Sequence, residues 1–135
     1  MNQIEIHTNF INKFILKEKR ERVSFELNNV KKRNLFINKL NHKSFEFIDS
    51  KKLIEISKSD SEFYRVKEKL GVEDNELSLI ISNYDQVDNK QMSFREAFEF
   101  CNGLGLATLI IIISKNKIYL QTEQEIGAPN KYLSI

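Results

Sequence analysis

The sequence predicts an α+β fold, in which N-terminal helices pack on a small C-terminal mixed β-sheet. The chain before Gly71 contains no glycine or proline, and its apolar residues recur at helical spacing. The stretch from Leu77 to Gln121 has the pattern strand, helix, strand, strand (β-α-β-β). Its length of 135 residues, 41% of them hydrophobic and 30% charged, fits one ordinary soluble domain. We therefore treat residues 1–135 as a single domain, with a helical part at about 1–71 and the β-α-β-β part at about 77–135.

The first 40 residues are predicted to form two or three packed helices. Thr8 or Asn9 is a suitable N-cap for the first of them. A second helical pattern covers residues 17–29, and a third covers residues 31–40. In each segment the apolar residues fall on one face, as expected of helices that share a core. These apolar residues are Phe10, Ile11, Phe14, Ile15, Val23, Leu27, Val30, Leu35, Phe36 and Leu40.

Residues 41–61 carry a weaker pattern. Residues 45–47 alternate like a short strand, and Leu53–Ile56 fits a strand or a helix equally well. Serine and aspartate at 59–61 form a cap cluster for a helix at residues 62–70. Gly71 follows at the position where a helix-ending glycine is expected.

The β-α-β-β part begins with a strand at Leu77–Ser82 and a loop at residues 83–92. Ser93 and Glu96 form a capping box, which predicts a helix from there to Cys101. Residues 109–113 (LIIII) are apolar at every position, so we expect a central strand with both faces covered.

The end of the chain continues the predicted sheet. Lys115 and Asn116 make the turn into a strand at Lys117–Gln121. An edge strand at residues 131–135 is predicted to follow Pro129.

Glycines at 103 and 105 suggest a phosphate-binding loop, but their position argues against one. Such a loop follows a strand and precedes a helix, whereas here the helix comes first. Gly103 is therefore predicted to end the helix. Cys101, at the C-terminal end of that helix and on its apolar stripe, is predicted to be a core cysteine.

Composition excludes several classes of site. One cysteine and two histidines do not supply the ligands of a zinc site, and no cofactor loop is present, so we expect no cofactor. The longest strongly apolar run, residues 104–113, is too short to span a membrane, which needs about 20 residues. The N-terminus lacks the pattern of a signal peptide. We therefore expect a cytoplasmic protein that does not bind a membrane.

Basic residues are concentrated at the front of the chain. Residues 1–52 contain 12 Lys or Arg against 6 Asp or Glu, a balance of +6. Lys13, Lys17 and Arg20 share a helix face, and a cationic stripe of this kind contacts phosphates or an acidic protein. The remaining members of the candidate set are Lys31, Lys32 and Arg33.

Acidic residues interrupt this basic surface. Helical pairs such as Lys17–Glu21 and Glu18–Arg22 would neutralise part of its charge. An acidic protein is therefore at least as suitable a partner as a nucleic acid.

A second candidate site consists of carboxylates. Asp85 and Asp88 follow the first predicted strand, and Glu123 and Glu125 follow the last strand of the hairpin. If these strand ends meet, the four side chains are weak candidates for a divalent metal site or for acid–base catalysis. Asp is also a common turn residue, and the sequence favours that interpretation.

Residues scattered over the chain form a recognisable pattern. They are Phe14, Lys17, Glu18, Lys19, Lys31, Lys32, Arg33, Ile80, Ile81, Ser82, Asp85, Asp88, Met92, Phe94, Glu96, Ala97, Gly103, Leu104, Gly105 and Thr108. In these positions the chain resembles a group of small uncharacterised bacterial proteins. That group has Gly in place of Asn89 and a Pro-Gly turn in place of Lys115 and Asn116. The resemblance implies a bacterial origin and assigns no activity or site.

The sequence therefore favours a non-enzymatic protein-interaction module. Immunity proteins, antitoxins and accessory regulatory proteins of bacterial toxin or defence systems are typical roles for such a domain. A nucleic-acid-binding protein using the basic helices is the alternative, and a metal-dependent or acid–base enzyme using the carboxylates is the second alternative. The oligomeric state stays open.

Overall fold

A six-stranded antiparallel β-sheet runs through the middle of the protein, and helices cover both of its faces. The computed structural model describes residues 1–102, 105–123 and 130–135. The described helices are α1 (Gln3–Phe14), α2 (Arg20–Leu27), α3 (Arg33–Lys43), α4 (Phe63–Leu70) and α5 (Phe94–Cys101). The strands are β1 (Leu53–Ile56), β2 (Leu77–Ser82), β3 (Gln91–Ser93), β4 (Thr108–Ile112), β5 (Lys117–Gln121) and β6 (Lys131–Ser134).

The strand order is β1-β6-β5-β4-β2-β3, and neighbouring strands are antiparallel throughout. The α+β class is thus confirmed, but the sheet is antiparallel where a mixed sheet was predicted. The short strand β3, which begins at the end of the predicted loop and includes Ser93, is the reason. It reverses the chain before α5, so that β4 returns antiparallel to β2.

Strand β4 lies between β5 and β2, and all five of its residues are buried. Side chains alternate between the two faces of a strand. Leu109 and Ile111 join the core formed with α1, α2 and α3, whereas Ile110 and Ile112 join the core formed with α4 and α5. The prediction of a central strand covered on both faces is confirmed.

The first helix starts earlier than predicted. Asn2, rather than Thr8 or Asn9, is the N-cap, and its side-chain oxygen accepts a hydrogen bond from the Glu5 amide at 2.9 Å. Thr8 instead donates its hydroxyl to the Ile4 carbonyl inside the helix. The buried face therefore begins at Ile6, one turn before the predicted stripe.

The front half of the chain contributes one strand to the sheet. Leu53–Ile56, where strand and helix were equally favoured, is the edge strand β1. It pairs with β6, so the last strand, predicted to form an edge, lies inside the sheet. The predicted strand at residues 45–47 is instead part of a 3-10 turn, Ser44–Glu46.

Local end signals were predicted well. Ser93 is the N-cap, as predicted, and its Oγ accepts a hydrogen bond from the Glu96 amide. The Glu96 carboxylate accepts from the Ser93 hydroxyl, whereas in a full capping box it would accept from the Ser93 amide. Gly71 ends α4 with a left-handed φ of 69°. Burial raises the pKa of the Cys101 thiol to about 12, as expected for a core cysteine. The predicted helix stop at Gly103 lies outside the described residues.

Helices α2 and α3 are joined by a buried carboxylate. The Glu26 side chain is fully buried and accepts hydrogen bonds from Arg22 Nε at 2.8 Å and from Lys39 Nζ at 2.9 Å. A buried charge is tolerated only when it is paired. Arg22 and Lys39 therefore have a structural role. Within the described part of the chain, no helix has both the length and the apolarity needed to cross a bilayer.

Replacing Lys39 should destabilise the fold by leaving Glu26 with half of its partners. We expect Lys39→Met to lower the free energy of unfolding by about 1–3 kcal/mol in urea titrations. Lys43→Met, an exposed position on the same helix, should change it by less than about 0.5 kcal/mol. Equal effects of the two substitutions would show that Glu26 does not depend on Lys39.

Candidate functional site

Four basic side chains line one open depression beside the C-terminal end of α1. The depression has a volume of about 590 Å³. Lys13, Lys17 and Arg20 come together there, but the single helix face that their spacing predicted is wrong. Lys13 belongs to α1, Lys17 lies in the 3-10 turn that follows, and Arg20 begins α2. Lys52 joins them from the residue before β1. We call this surface the basic depression. Its other described lining residues are Asn9, Asn12, Ile15, Leu16, Asp49 and Asn116.

The backbone brings these residues together. After α1 the chain becomes extended at Ile15, which forms an antiparallel bridge with Ile48. The Asp49 amide donates to the Phe14 carbonyl at 2.8 Å, so the segment that leads into β1 lies beside the end of α1. Lys52 thereby reaches the depression. Sequence reasoning missed Lys52 because this contact joins segments far apart in the chain.

Lys13 is the most constrained of the four cations. Its Nζ donates a hydrogen bond to the Asn116 carbonyl at 2.8 Å and lies 5.1 Å from the centroid of the Phe14 ring. Burial lowers the pKa of Lys13, and the charges of Lys117 and Lys52 lower it further. The positive charges of Lys13, Lys52 and Lys117 therefore lie close enough to repel one another.

The four cations have no ion-pair partner within residues 1–102, 105–123 and 130–135. The expected helical pairs Lys17–Glu21 and Glu18–Arg22 are not among the ion pairs of this part of the chain, and Arg22 bonds Glu26 instead. Arg20 Nε donates to the Ile15 carbonyl at 3.0 Å. Asp49, the one carboxylate among the described lining residues, accepts a hydrogen bond from the Lys51 amide. The depression therefore presents largely uncompensated positive charge.

The other half of the predicted basic set lies elsewhere. Lys31 and Lys32 are exposed in the turn between α2 and α3. Arg33 lines a second depression, together with Gln3 from the first turn of α1. The basic depression lies beside the last turn of α1, and Arg33 lies beside its first turn. Since α1 has 12 residues and is about 18 Å long, Lys31, Lys32 and Arg33 lie far from the basic depression.

Arg33 and Asp88, predicted for two different sites, bind each other. Arg33 donates from Nε and Nη2 to the two Asp88 carboxylate oxygens, at 3.0 and 2.9 Å. The Asp88 carboxylate also accepts the Ser82 amide at 2.9 Å. Both charged side chains are largely buried. The pair therefore fixes the loop after β2 to α3. Each side chain cancels the charge of the other, so neither is available for the site predicted for it.

The remaining candidate carboxylates in the described part of the chain, Asp85 and Glu123, belong to no cluster suited to a metal ion. The ends of β2 and β5 lie at the same end of the sheet, which a metal site built from these carboxylates would require. There Ser82 of β2 pairs with Thr108 of β4, and Thr108 pairs with Gln121 of β5. Asp85 is exposed there, and Glu123 binds His42 Nδ1 at 2.9 Å. Glu125 lies outside the described residues. The described part of the chain contains no group of three or more His, Cys, Asp or Glu placed to hold a metal ion.

The second depression, with a volume of about 360 Å³, contains a buried histidine. His7 Nδ1 lies 2.8 Å from the Asn28 side-chain oxygen, and its Nε2 has no partner among the described residues. The pKa of His7 is lowered, mainly because the ring is buried. The positive charge of Arg33 also lowers this pKa, whereas the hydrogen bond to Asn28 and the negative charge of Asp88 raise it. The imidazole is therefore held neutral in the folded protein.

Stability should fall as the pH falls below the ordinary histidine pKa of about 6.5. The unfolded chain then binds a proton that folded His7 resists, so stabilisation is complete above pH 6.5 and is lost toward pH 5. We expect His7→Gln to remove up to about 1.4 kcal/mol per pH unit from this slope. Unfolding titrations between pH 7 and 5 measure it.

Asn12→Gln, an exposed position on the same helix, provides the control because it neither adds nor removes a titratable group. It should retain the slope of the unsubstituted protein. A slope that His7→Gln leaves intact would contradict the assignment.

Comparison of the chain with protein-family models, with curated proteins and with solved structures found no match.

Proposed function

We propose that this protein is a non-enzymatic interaction module that binds an acidic segment of a partner protein at the basic depression. The supporting observation is the convergence of four cations without a carboxylate partner in the described chain. Like charges held together repel one another. A carboxylate placed among them relieves this repulsion and accepts charge-assisted hydrogen bonds.

The cations of the basic depression differ from those cations of the helices that bind carboxylates within the fold, and this difference supports binding of a partner. Three basic side chains of the helices serve the fold instead: Arg22 and Lys39 bind Glu26, and Arg33 binds Asp88. In a bacterial cytoplasm, an immunity protein, an antitoxin or an accessory regulator of a toxin or defence system acts by binding an oppositely charged partner. Electrostatic complementarity speeds such association and excludes wrong partners.

The two alternatives receive less support. A nucleic-acid surface built from the whole basic set would need Lys17 and Arg20 beside Lys32 and Arg33, yet the two groups lie toward opposite ends of α1. An enzyme built on the acidic set would use Asp88, which is held by Arg33. An acidic protein segment, by contrast, needs only the basic depression.

Charge reversal in the basic depression should abolish binding. The probe is a fluorescein-labelled peptide of alternating Glu and Val, titrated by anisotropy. We expect Lys17→Glu combined with Arg20→Glu to weaken binding by more than about tenfold, because two attractive contacts become repulsive. Binding to the unsubstituted protein should also weaken as salt rises.

Lys31→Glu combined with Lys32→Glu is the matched control, with the same change in net charge on exposed residues outside the depression. It should change the affinity by less than about twofold. Equal loss in both double variants would mean general charge attraction and would contradict a specific site. Tighter binding of a DNA or RNA oligonucleotide than of the peptide would favour the nucleic-acid alternative.

A further inference from the structure

We infer that the acidic partner segment binds as an added strand along the free edge of β1, which begins where the basic depression ends. This inference rests on the proposed function and specifies how the partner is held. Lys52 belongs to both features: it lines the depression, and β1 starts at the next residue.

The register of β1 shows which backbone groups face outward. The Lys52 carbonyl accepts a hydrogen bond from the Ile135 amide at 3.0 Å, so Lys52 faces β6. In an antiparallel pair, residues alternate between facing the neighbour and facing away. Ile54 and Ile56 therefore also bond to β6, while Leu53 and Glu55 direct their peptide groups away from it.

Three of these outward groups are available for pairing. The Leu53 amide already bonds to the Ser50 carbonyl. The other three outward groups are the Leu53 carbonyl, the Glu55 amide and the Glu55 carbonyl. Apart from the ladder bonds of the sheet, none of them bonds to a backbone group of the described residues. β1 is the terminal strand of the sheet on this side. An unpaired edge of this kind is a template for another extended chain.

Lysines at both ends of β1 favour an acidic occupant, while the exposed Glu55 between them opposes one. Lys51 and Lys52 precede β1, and Lys58 follows it; all three are exposed. A strand advances about 3.3 Å per residue, so a segment paired along the four residues of β1 reaches the depression within a few further residues. Ile54, 43% exposed, offers an apolar contact for alternate side chains of such a segment.

Lysines beside an edge strand also have a protective use, because they discourage unwanted pairing. The two roles predict different results. Protection predicts that no chain adds to β1, whereas recognition predicts that acidic chains add and that others do not.

Glu55→Pro tests this directly, because it removes the outward amide without removing a bond to β6. Proline is tolerated on an edge strand where the amide faces solvent. We expect Glu55→Pro to weaken binding of the Glu-Val peptide by at least about tenfold. Glu55→Ala keeps the amide and removes a negative charge, so it should bind the peptide at least as tightly as the unsubstituted protein.

Amide hydrogen exchange on the unsubstituted protein gives a second measurement that does not depend on the folding of Glu55→Pro. The peptide should protect the Glu55 amide and leave the Gln91 amide, on the opposite edge strand β3, unchanged. An unprotected Glu55 amide, or full binding by folded Glu55→Pro, would overturn strand addition.

If strand addition is overturned but Lys17→Glu combined with Arg20→Glu still abolishes peptide binding, the proposed function stands without the added strand. Protection of Glu55 that depends on protein concentration without peptide would assign the edge to a second copy of the chain and overturn the inference.

Discussion

The structure depends on covering β4 from both sides. Its residues are buried on both faces, and burial of each isoleucine or leucine stabilises the fold by about 1.5–3 kcal/mol. Two helical layers are required for this, α1 to α3 on one face and α4 with α5 on the other. Each helix turns its apolar side toward the sheet, and most of its charges face outward, apart from Glu26 of α2 and Arg33 of α3. The surface available for function is set by that requirement.

Two groups of charged residues on the layer of α1 to α3 differ from its exposed lysines, such as Lys19, Lys31 and Lys43. In one group, carboxylates held inside the fold compensate the cations, as Glu26 does for Arg22 and Lys39. In the other group, around the end of α1, the short bridge between Ile15 and Ile48 gathers cations without such compensation. Ion pairs within the described chain account for three of the twelve cations in residues 1–52, namely Arg22, Arg33 and Lys39. The basic depression is where four of the others converge.

Local signals predicted the elements that carry them. The N-cap serine at 93, the glycine at 71 and the all-apolar run of β4 act over a few residues, and the structure agrees with each. Contacts between distant segments were not predictable. Lys52 and the pairing of Arg33 with Asp88 depend on where the sheet brings separate segments together. The same holds for β6, which lies inside the sheet only because β1 pairs with it. Lys13, Lys17 and Arg20 are close in the chain and meet in the structure, but the single helix face predicted for them is wrong, because the chain is extended at Ile15 between α1 and α2. Whether acidic residues neutralise them could not be predicted.

The protonation of Lys13 is the most direct test of the basic depression as a binding surface. Burial and the nearby charges of Lys117 and Lys52 lower its pKa. NMR titration of the Lys13 side chain should therefore place its pKa below the ordinary value of about 10.4. Addition of the acidic Glu-Val peptide should raise it, because carboxylates in the depression favour the charged amine. An ordinary pKa for Lys13 that the peptide leaves unchanged would contradict the account.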